Sequence, residues 1–444
     1  MSDFSIVSIA GHNRGSCGYC NGMKSSITFG IWAFTLTCED YQALIDRGWR
    51  RSGQYLYKPD LKKSCCPQYT IRMDTSSFEV TKSQRKIITK FNRYMDGSWA
   101  PPSERKDTME QDRPRMPKEK AEKQPQEGDL FANLIHTSEE PDLNKHSFKA
   151  SAVVLEPASF TEEKYQIYRK YQQEIHHDDP DDIQELGFKN FLVNSPLKME
   201  QDPDNKLAMK WGSYHQKYML DDKLIAVAVL DILPYCVSSV YFMYDPSYAF
   251  LGLGNYSALR EISFTRELHT QSPDLAYYYM GYYIHTCKKM QYKGKFHPSD
   301  LLDPETYAWY SLDATCRPLL NKYRYVSFAN PSEGIAAISD VAANGGDMEG
   351  KKMSDDTDDT DDVMTLANDD ALIPTDDDYV PPGWLTPSQL DDELMGQIFA
   401  IAEDNMAVPV TMLKKYHQSK KMRKEFKDFA AALGADLAKR MIIY

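Results

Sequence analysis

No segment of this 444-residue chain resembles a secretory leader, and none is an apolar run of bilayer length. The expectation is a soluble protein with no membrane partner, placed in the cytoplasm with the nucleus as a second compartment. A reducing compartment leaves the eight cysteines as thiols or ligands rather than as a disulfide framework. No Ser–His–Asp arrangement and no Walker-type loop is present, so the chain offers neither that nucleophilic machinery nor a site for a nucleotide cofactor. It also lacks positive charge overall, with a net charge of −13 that argues against a nucleic-acid partner. The distribution weakens that exclusion. Between Asp347 and Asp378 stand 13 acidic residues and only two lysines, a local balance of −11 that leaves the rest of the chain near −2. A nearly neutral body can still carry a basic face.

What is present is organised around Gly212–Glu261. Leu224–Leu233 and Val237–Tyr244 are apolar, β-branched runs bounded by Asp221-Asp222, Pro234 and Asp245-Pro246, which predicts two strands. Gly252 and Gly254 then precede a helical pattern with Leu259, Ile262 and Phe264 facing a core. A strand, a Gly-x-Gly loop and a helix start place free backbone N–H groups where they can hold negative charge. An ordinary strand-to-helix turn reads the same way, so the motif alone does not decide.

Length predicts two or three domains. Residues 1–99 read as a compact first domain with strands near Ile27–Thr37, Gln54–Tyr57 and Tyr69–Met73, and a helix beginning in Cys38–Asp46. Lys82–Arg93 (KSQRKIITKFNR) carries five positive charges and no negative one, with Ile87, Ile88 and Phe91 at helical spacing. It is either a solvated amphipathic helix or a face that contacts phosphates. Residues 100–147 read as a charged linker. Residues 148–330 read as a second domain that includes a helix capped by Thr161 and a strand within Ala276–Thr286. Residues 331–382 read as an acidic disordered stretch, and 383–444 as a helical tail, notably Leu390–Ala402 and Lys424–Met441.

Cys17-x-x-Cys20 and the adjacent Cys65-Cys66 are the strongest ligand candidates, because thiolates hold zinc or iron–sulfur clusters well. Unligated thiols and a redox pair are the alternatives. Acyl transfer to an amine needs no protein nucleophile: holding a neutral amine beside an activated ester supplies several kcal/mol, up to about 7–11. A modest base and an oxyanion donor complete such a site. The residues that fit those roles are Tyr214, His215, Tyr241, Tyr244 and Glu261, each with core packing as the alternative.

Several of these segments resemble one family. GYC at Gly18–Cys20, YQALIDRGWRRSGQYLYKP at Tyr41–Pro59 and SCCPQYTIR at Ser64–Arg72 are similar to the N-terminal region of arginyl-tRNA–protein transferases. The Gly212–Pro246 run, LGLGNYSALREI, GYYIHTCKKMQYKGKFHPSDLL and the segment around Trp309 resemble their C-terminal region. The family tends toward Pro and Arg where this chain has Lys288 and Gln291. The resemblance implies an α/β (mixed α+β) fold with a GNAT-like acyltransferase domain and a smaller N-terminal cysteine-metal domain. It implies transfer of arginine from Arg-tRNA to the N-terminal amine of proteins beginning with Asp, Glu or oxidised Cys, which marks them for degradation. Zinc or a [4Fe–4S] cluster would occupy the cysteine quartet. No CoA is expected, because Ala249 stands where acetyl-CoA enzymes of that fold carry Gln or Arg.

On that resemblance, the acidic N-terminal side chain needs a cation from Arg50, Arg51, Arg72, His215 or Lys289, with Arg favoured by its bidentate geometry. The transferred arginine needs a carboxylate from Asp231, Asp245 or Glu261. The tRNA contacts fall to Lys82, Arg85, Lys86, Lys90 and Arg93, with Gly252, Gly254, Asn255 and Tyr256 nearer the 3′ end. An acetyl-CoA-dependent N-acetyltransferase and a non-catalytic metal-dependent adaptor are the competing expectations. Binding of CoA, or peptide binding without turnover, would distinguish them.

Overall fold

The computed structural model describes residues 4–102, 129–141, 144–150, 155–204, 206–336 and 379–444. Most of the acidic stretch expected at 331–382 lies outside them. Among the described residues, two large sheets carry the architecture.

The chain starts in the first sheet with β1 (Ser5–Gly15), β2 (Ser26–Thr35), the helix α1 (Cys38–Ile45), β3 (Arg50–Ser52) and β4 (Tyr55–Pro59). Thr37 caps α1 by accepting from the Asp40 N–H. The next strand, β5 (Tyr69–Asp74), leaves this sheet and enters the other. The expected boundary at residue 99 is therefore not a boundary between sheets. The amphipathic helix α2 (Lys82–Met95) follows, started by a reciprocal capping box between Thr81 and Gln84.

Part of the segment expected as a linker is ordered. It holds α3 (Leu130–His136), pinned to the later chain by a hydrogen bond between the Ser138 and Tyr256 hydroxyls at 2.9 Å. Two short strands, β6 (Phe148–Lys149) and β7 (Leu155–Pro157), border the second sheet, and α4 (Glu162–Tyr171) starts at Thr161 as its composition predicts. A short helix, α5 (Glu185–Phe188), follows.

The core hairpin is β8 (Gly212–Leu220) and β9 (Lys223–Ile232), turned by Asp221 and Asp222 at φ 49 and 62, the paired left-handed geometry of a tight hairpin. After its first residue β9 is buried throughout, which explains its unbroken apolar run. β10 (Cys236–Tyr244), the long helix α6 (Leu253–Gln271), β11 (Tyr277–Tyr283), β12 (Ser299–Leu302) and β13 (Trp309–Ser311) complete a nine-stranded sheet. Its order is β13-β12-β5-β11-β10-β9-β8-β6, with β7 also on β8. A small pair, β14 (Tyr323–Tyr325) and β15 (Ile335–Ala336), stands apart.

The chain then returns to the first sheet through β16 (Phe399–Ile401), β17 (Ala407–Pro409) and β18 (Met441–Ile443), giving the order β17-β16-β18-β1-β2-β4-β3. The helix expected over Leu390–Ala402 is only Asp392–Met395 before β16 begins. Lys420–Leu433 and Ala435–Arg440 are helical.

Candidate functional site

The principal cleft follows from the way two strands part. β10 and β11 pair in parallel only from Cys236–Tyr277 to Ser238–Tyr279. Both strands are irregular just beyond that point. Val240 bulges out of register with β9, and Met280 and Gly281 bulge out of register with β5, with Gly281 at φ 68. Bulges bend and twist their strands, so two at the same level split the sheet into a wedge. One mouth of the wedge is lined by Ser239, Tyr241, Gly254, Ser257, Tyr278, Tyr292 and Lys293. The other is lined by Tyr41, Arg50, Tyr57, Phe191, Ser239, Gly281 and Tyr282. Ser239 borders both.

At the first mouth stands the start of α6. Gly252 is exposed at φ 66, Gly254 and Asn255 are half-buried, and no side chain caps this turn. Uncapped N–H groups and the positive end of the helix dipole therefore face the cleft. Tyr256 is different. It is fully buried, stacked on Phe91 of α2 at 3.8 Å between ring centroids, and cannot touch an RNA end.

Several sequence-derived candidates are engaged elsewhere. Arg51 and Asp231 form a buried bidentate pair, both contacts at 2.7 Å, with the Ser213 hydroxyl donating to Asp231. Asp231 is thereby withheld from a substrate, and Arg51, which also borders the second mouth, has its guanidinium committed to that pair. Asp245 is buried, caps the turn at Ser247 and meets Lys170 and Lys223. His215 is fully buried: Nε2 donates to the Leu192 carbonyl, and Nδ1 accepts from Lys164. Burial, aided by Lys164, lowers its pKa to about 4, so it stays neutral as a structural imidazole. Tyr214 is buried with its hydroxyl on the Lys210 carbonyl, and burial raises its pKa to about 12. Tyr244 packs edge-on against Tyr171. Arg72 is sandwiched between Tyr277 and Trp309, 3.9 Å from each ring centroid. Lys289 is exposed.

Tyr241, Glu261 and Arg50 belong to the wedge or its wall. Tyr241 lines the first mouth, and its hydroxyl donates to Gln172 Oε1 at 2.8 Å. Glu261 is buried and accepts from the Tyr278 hydroxyl at 2.6 Å. Arg50 is buried at the second mouth with its guanidinium on the Trp49 and Gly281 carbonyls and over the Tyr282 ring. It enters none of the ion pairs among the described residues. Its Nε is buried without a hydrogen-bond partner. Sequence reasoning missed Lys293, a buried lysine donating to the Tyr282 carbonyl, and His176 beside Tyr241. Only the residue types at those positions could have flagged them.

The four thiols of Cys17, Cys20, Cys65 and Cys66 converge, all within 4.8 Å of one another. Cys20 and Cys65 are 3.3 Å apart, and the Ser25 hydroxyl donates to the Cys65 sulfur. Burial raises Cys65 to about 11 and Cys66 higher still in the absence of a positive charge, as expected when thiols are crowded together. A metal cation would reverse that preference. The donor set fits an ion. Cys17 and Cys66 also pack on Ile284 and Met290, in the segment that leads from β11 to Tyr292 and Lys293. The cysteine site thereby packs on the segment that carries Tyr292 and Lys293 into the wedge.

Lys82, Arg85, Lys86, Lys90 and Arg93 are all exposed and, with Thr89 and Trp99, line one surface depression along α2. The opposite face of α2 packs Ile88 and Phe91 into the core, so the apolar residues that start the helical pattern also fix the direction of its charges.

Comparison with known proteins finds two family profiles. Residues 15–86 match the N terminus of arginine-tRNA-protein transferase, and residues 163–303 match its C terminus. Arginyl-tRNA–protein transferase 1 of Drosophila melanogaster is 36% identical over 414 residues, covering 72% of this chain and 85% of the relative. Arginyl-tRNA–protein transferase 2 of Arabidopsis thaliana is 31% identical, covering 77% and 80%. A more distant relative, the aspartate/glutamate leucyltransferase of a Campylobacter jejuni strain, is 23% identical over 289 residues, covering 64% and 89%.

Proposed function

Since the chain belongs to the arginine-tRNA-protein transferase family and is an arginyl-transferring enzyme, we propose that the transfer takes place in the wedge between β10 and β11. The observation that carries this reading is the placing of three features on one framework. The wedge opens at the uncapped start of α6, and α6 is stacked through Tyr256 on Phe91 of α2, whose other face is basic. A tRNA whose phosphates lie along α2 would bring its aminoacylated end to α6 and the wedge.

The acceptor is proposed to be a protein N-terminus with an acidic side chain, in a cytoplasmic or nuclear setting. The name of the Campylobacter jejuni relative, an aspartate/glutamate leucyltransferase, supports an acidic acceptor. Arg50 is the cation best suited to that side chain, because it is buried at the cleft without a carboxylate partner among the described residues. Between acceptor and donor, the parted strands supply backbone N–H groups beyond Ser238 as oxyanion donors. The parallel strands, their splay and the intervening helix also support a GNAT-like reading of this domain.

The cysteine quartet is proposed to hold a single zinc-like ion. Tetrahedral thiolates ~2.3 Å from one ion stand ~3.8 Å apart, which agrees with sulfurs all within 4.8 Å. A [4Fe–4S] cluster binds each thiolate to a different iron and would need them farther apart. When bound, the ion supplies rigidity. The contacts of Cys17 and Cys66 with Ile284 and Met290 then hold the segment that carries Tyr292 and Lys293 in place.

The test is transfer of labelled arginine from Arg-tRNA to peptides that begin with Asp or with Ala. A charge-assisted contact of about 1.5–3 kcal/mol predicts preference for Asp by roughly 10–150-fold. Ser239→Trp, which fills the wedge, should abolish transfer to both. Equal rates for the two peptides would overturn the acceptor assignment, and an active Ser239→Trp protein would overturn the location.

A further inference from the structure

We infer that His176 is the terminal acceptor of the proton that the attacking amine must lose, reached from the wedge through the Tyr241 hydroxyl. This deepens the reading above and rests on the wedge being the site of transfer.

The geometry comes from a local irregularity. α4 ends in a π-type turn, Gln172–His176, closed by His177 in the left-handed region at φ 63. Such turns shift the residues that follow to a face an α-helix would not give them, and they recur at functional sites. Here Gln172 and His176 both meet one hydroxyl: Tyr241 donates to Gln172 Oε1 at 2.8 Å and lies 3.4 Å from His176 Nε2. Tyr171 sets its ring edge-on against His176 at 5.1 Å, which restricts the imidazole. Tyr241 lines the wedge, while His176 is half-buried behind it.

The surroundings suit a base. Burial lowers the pKa of His176, opposed by Asp178 and reinforced by Lys289 and His177. A neutral imidazole can accept a proton at neutral pH in the tautomer that leaves Nε2 bare. The atoms balance as follows. The neutral amine nitrogen attacks the ester carbonyl carbon, the new C–N bond forms, and the C–O bond to the terminal ribose breaks. The acceptor binds as an ammonium and loses two protons, one to become the attacking neutral amine and one as the amide forms. The second protonates the departing ribose oxygen. The other passes to the Tyr241 oxygen as that hydroxyl turns from Gln172 and gives its own proton to His176 Nε2, which later releases it to solvent. Tyr241 is thus the catalytic residue, and His176 is a positioning residue that acts through it.

The experiment follows kcat against pH for arginine transfer to the Asp-initiated peptide with the full-length protein. The free acceptor amine titrates at ~7.7–8.0 with any variant, so the diagnostic feature is a separate fall in kcat at lower pH. The expectation for His176→Gln is a kcat about 10²-fold lower, with that acid limb gone and KM for the peptide little changed. Tyr241→Phe, which keeps the ring, should give the same loss, and the double variant should be no worse than either single one. Wild-type kcat with the acid limb intact in His176→Gln, or additive losses in the double variant, would overturn the relay. If His176→Gln fails to fold, Tyr241→Phe decides by the same profile. An active Ser239→Trp protein would instead mean that the wedge itself is misassigned. An inactive one beside a wild-type-like His176→Gln would sink the relay alone.

Discussion

Arg51→Met should destabilise this protein severely without acting on substrate recognition. The Arg51 and Asp231 side chains are 1% and 0% exposed and share two contacts of 2.7 Å. Removing the guanidinium leaves Asp231 in the interior with the Ser213 hydroxyl at 2.6 Å as its remaining hydrogen-bond donor. An uncompensated buried charge of this kind costs about 3–5 kcal/mol, a large share of the ~5–15 kcal/mol that holds a typical fold. With a denaturant slope of about 2 kcal/mol per molar, the urea midpoint falls by roughly 1.5–2.5 M. Arg51→Met combined with Asp231→Leu removes both charges and should recover most of that loss, because a well-packed apolar pair is often no worse than a buried ion pair. Tryptophan fluorescence in a urea series measures both variants. A single variant that loses less than about 1 kcal/mol, or a double variant as unstable as the single, would refute the reasoning. A folded Arg51→Met protein with a raised KM for acidic peptides would return Arg51 to substrate binding.

Lys58 gives a pH-dependent prediction. Burial, followed by repulsion from Arg47, lowers its folded pKa from 10.5 to about 7. Between those values the unfolded chain binds the extra proton, so stability rises with pH by up to about 1.4 kcal/mol per unit. The penalty is largest below pH 7. Lys58→Met should flatten that slope in denaturant titrations from pH 7 to 10.5, and an unchanged slope would show that Lys58 is not its source. Arg85→Glu with Lys86→Glu should lower the salt slope of Arg-tRNA binding by roughly 2, at ~0.9 per lost phosphate contact, and leave peptide KM alone. An unchanged slope would remove α2 from the tRNA path. Cys66→Ala should lose the bound ion in elemental analysis and speed amide exchange in residues 284–293, since Cys66 packs on Ile284 and Met290. Retained metal would exclude Cys66 as a ligand.

Features set by nearby residues were legible in the sequence. The apolar runs at Leu224–Leu233 and Val237–Tyr244 fall on β9 and β10 within a residue, because both are buried and bounded by turn residues. The basic stripe of α2 and the cysteine quartet follow from helical spacing and thiol pairing. Long-range pairing was hidden: nothing local says that β5 belongs between β11 and β12. The same limit explains the misplaced chemistry. A His or an Asp in a strand looks identical whether it faces a cleft or, like His215 and Asp231, a buried partner supplied by Lys164 or Arg51. His176 was obscured for another reason, since its position depends on a π-type turn that ordinary helical periodicity does not describe.

The parallel pairing of β1 with β18, Ser5 beside Met441 and Val7 beside Ile443, has a consequence for biosynthesis. An emerging chain makes β1 long before β18, so the edge of β1 away from β2 lacks its neighbour until translation reaches Met441. Loop closure over such a span is slow, and an exposed strand edge invites unwanted association meanwhile. Messages cut short before that point would yield a protein with its cysteine quartet complete but one flank of the first sheet bare, a form that quality-control proteases should clear first.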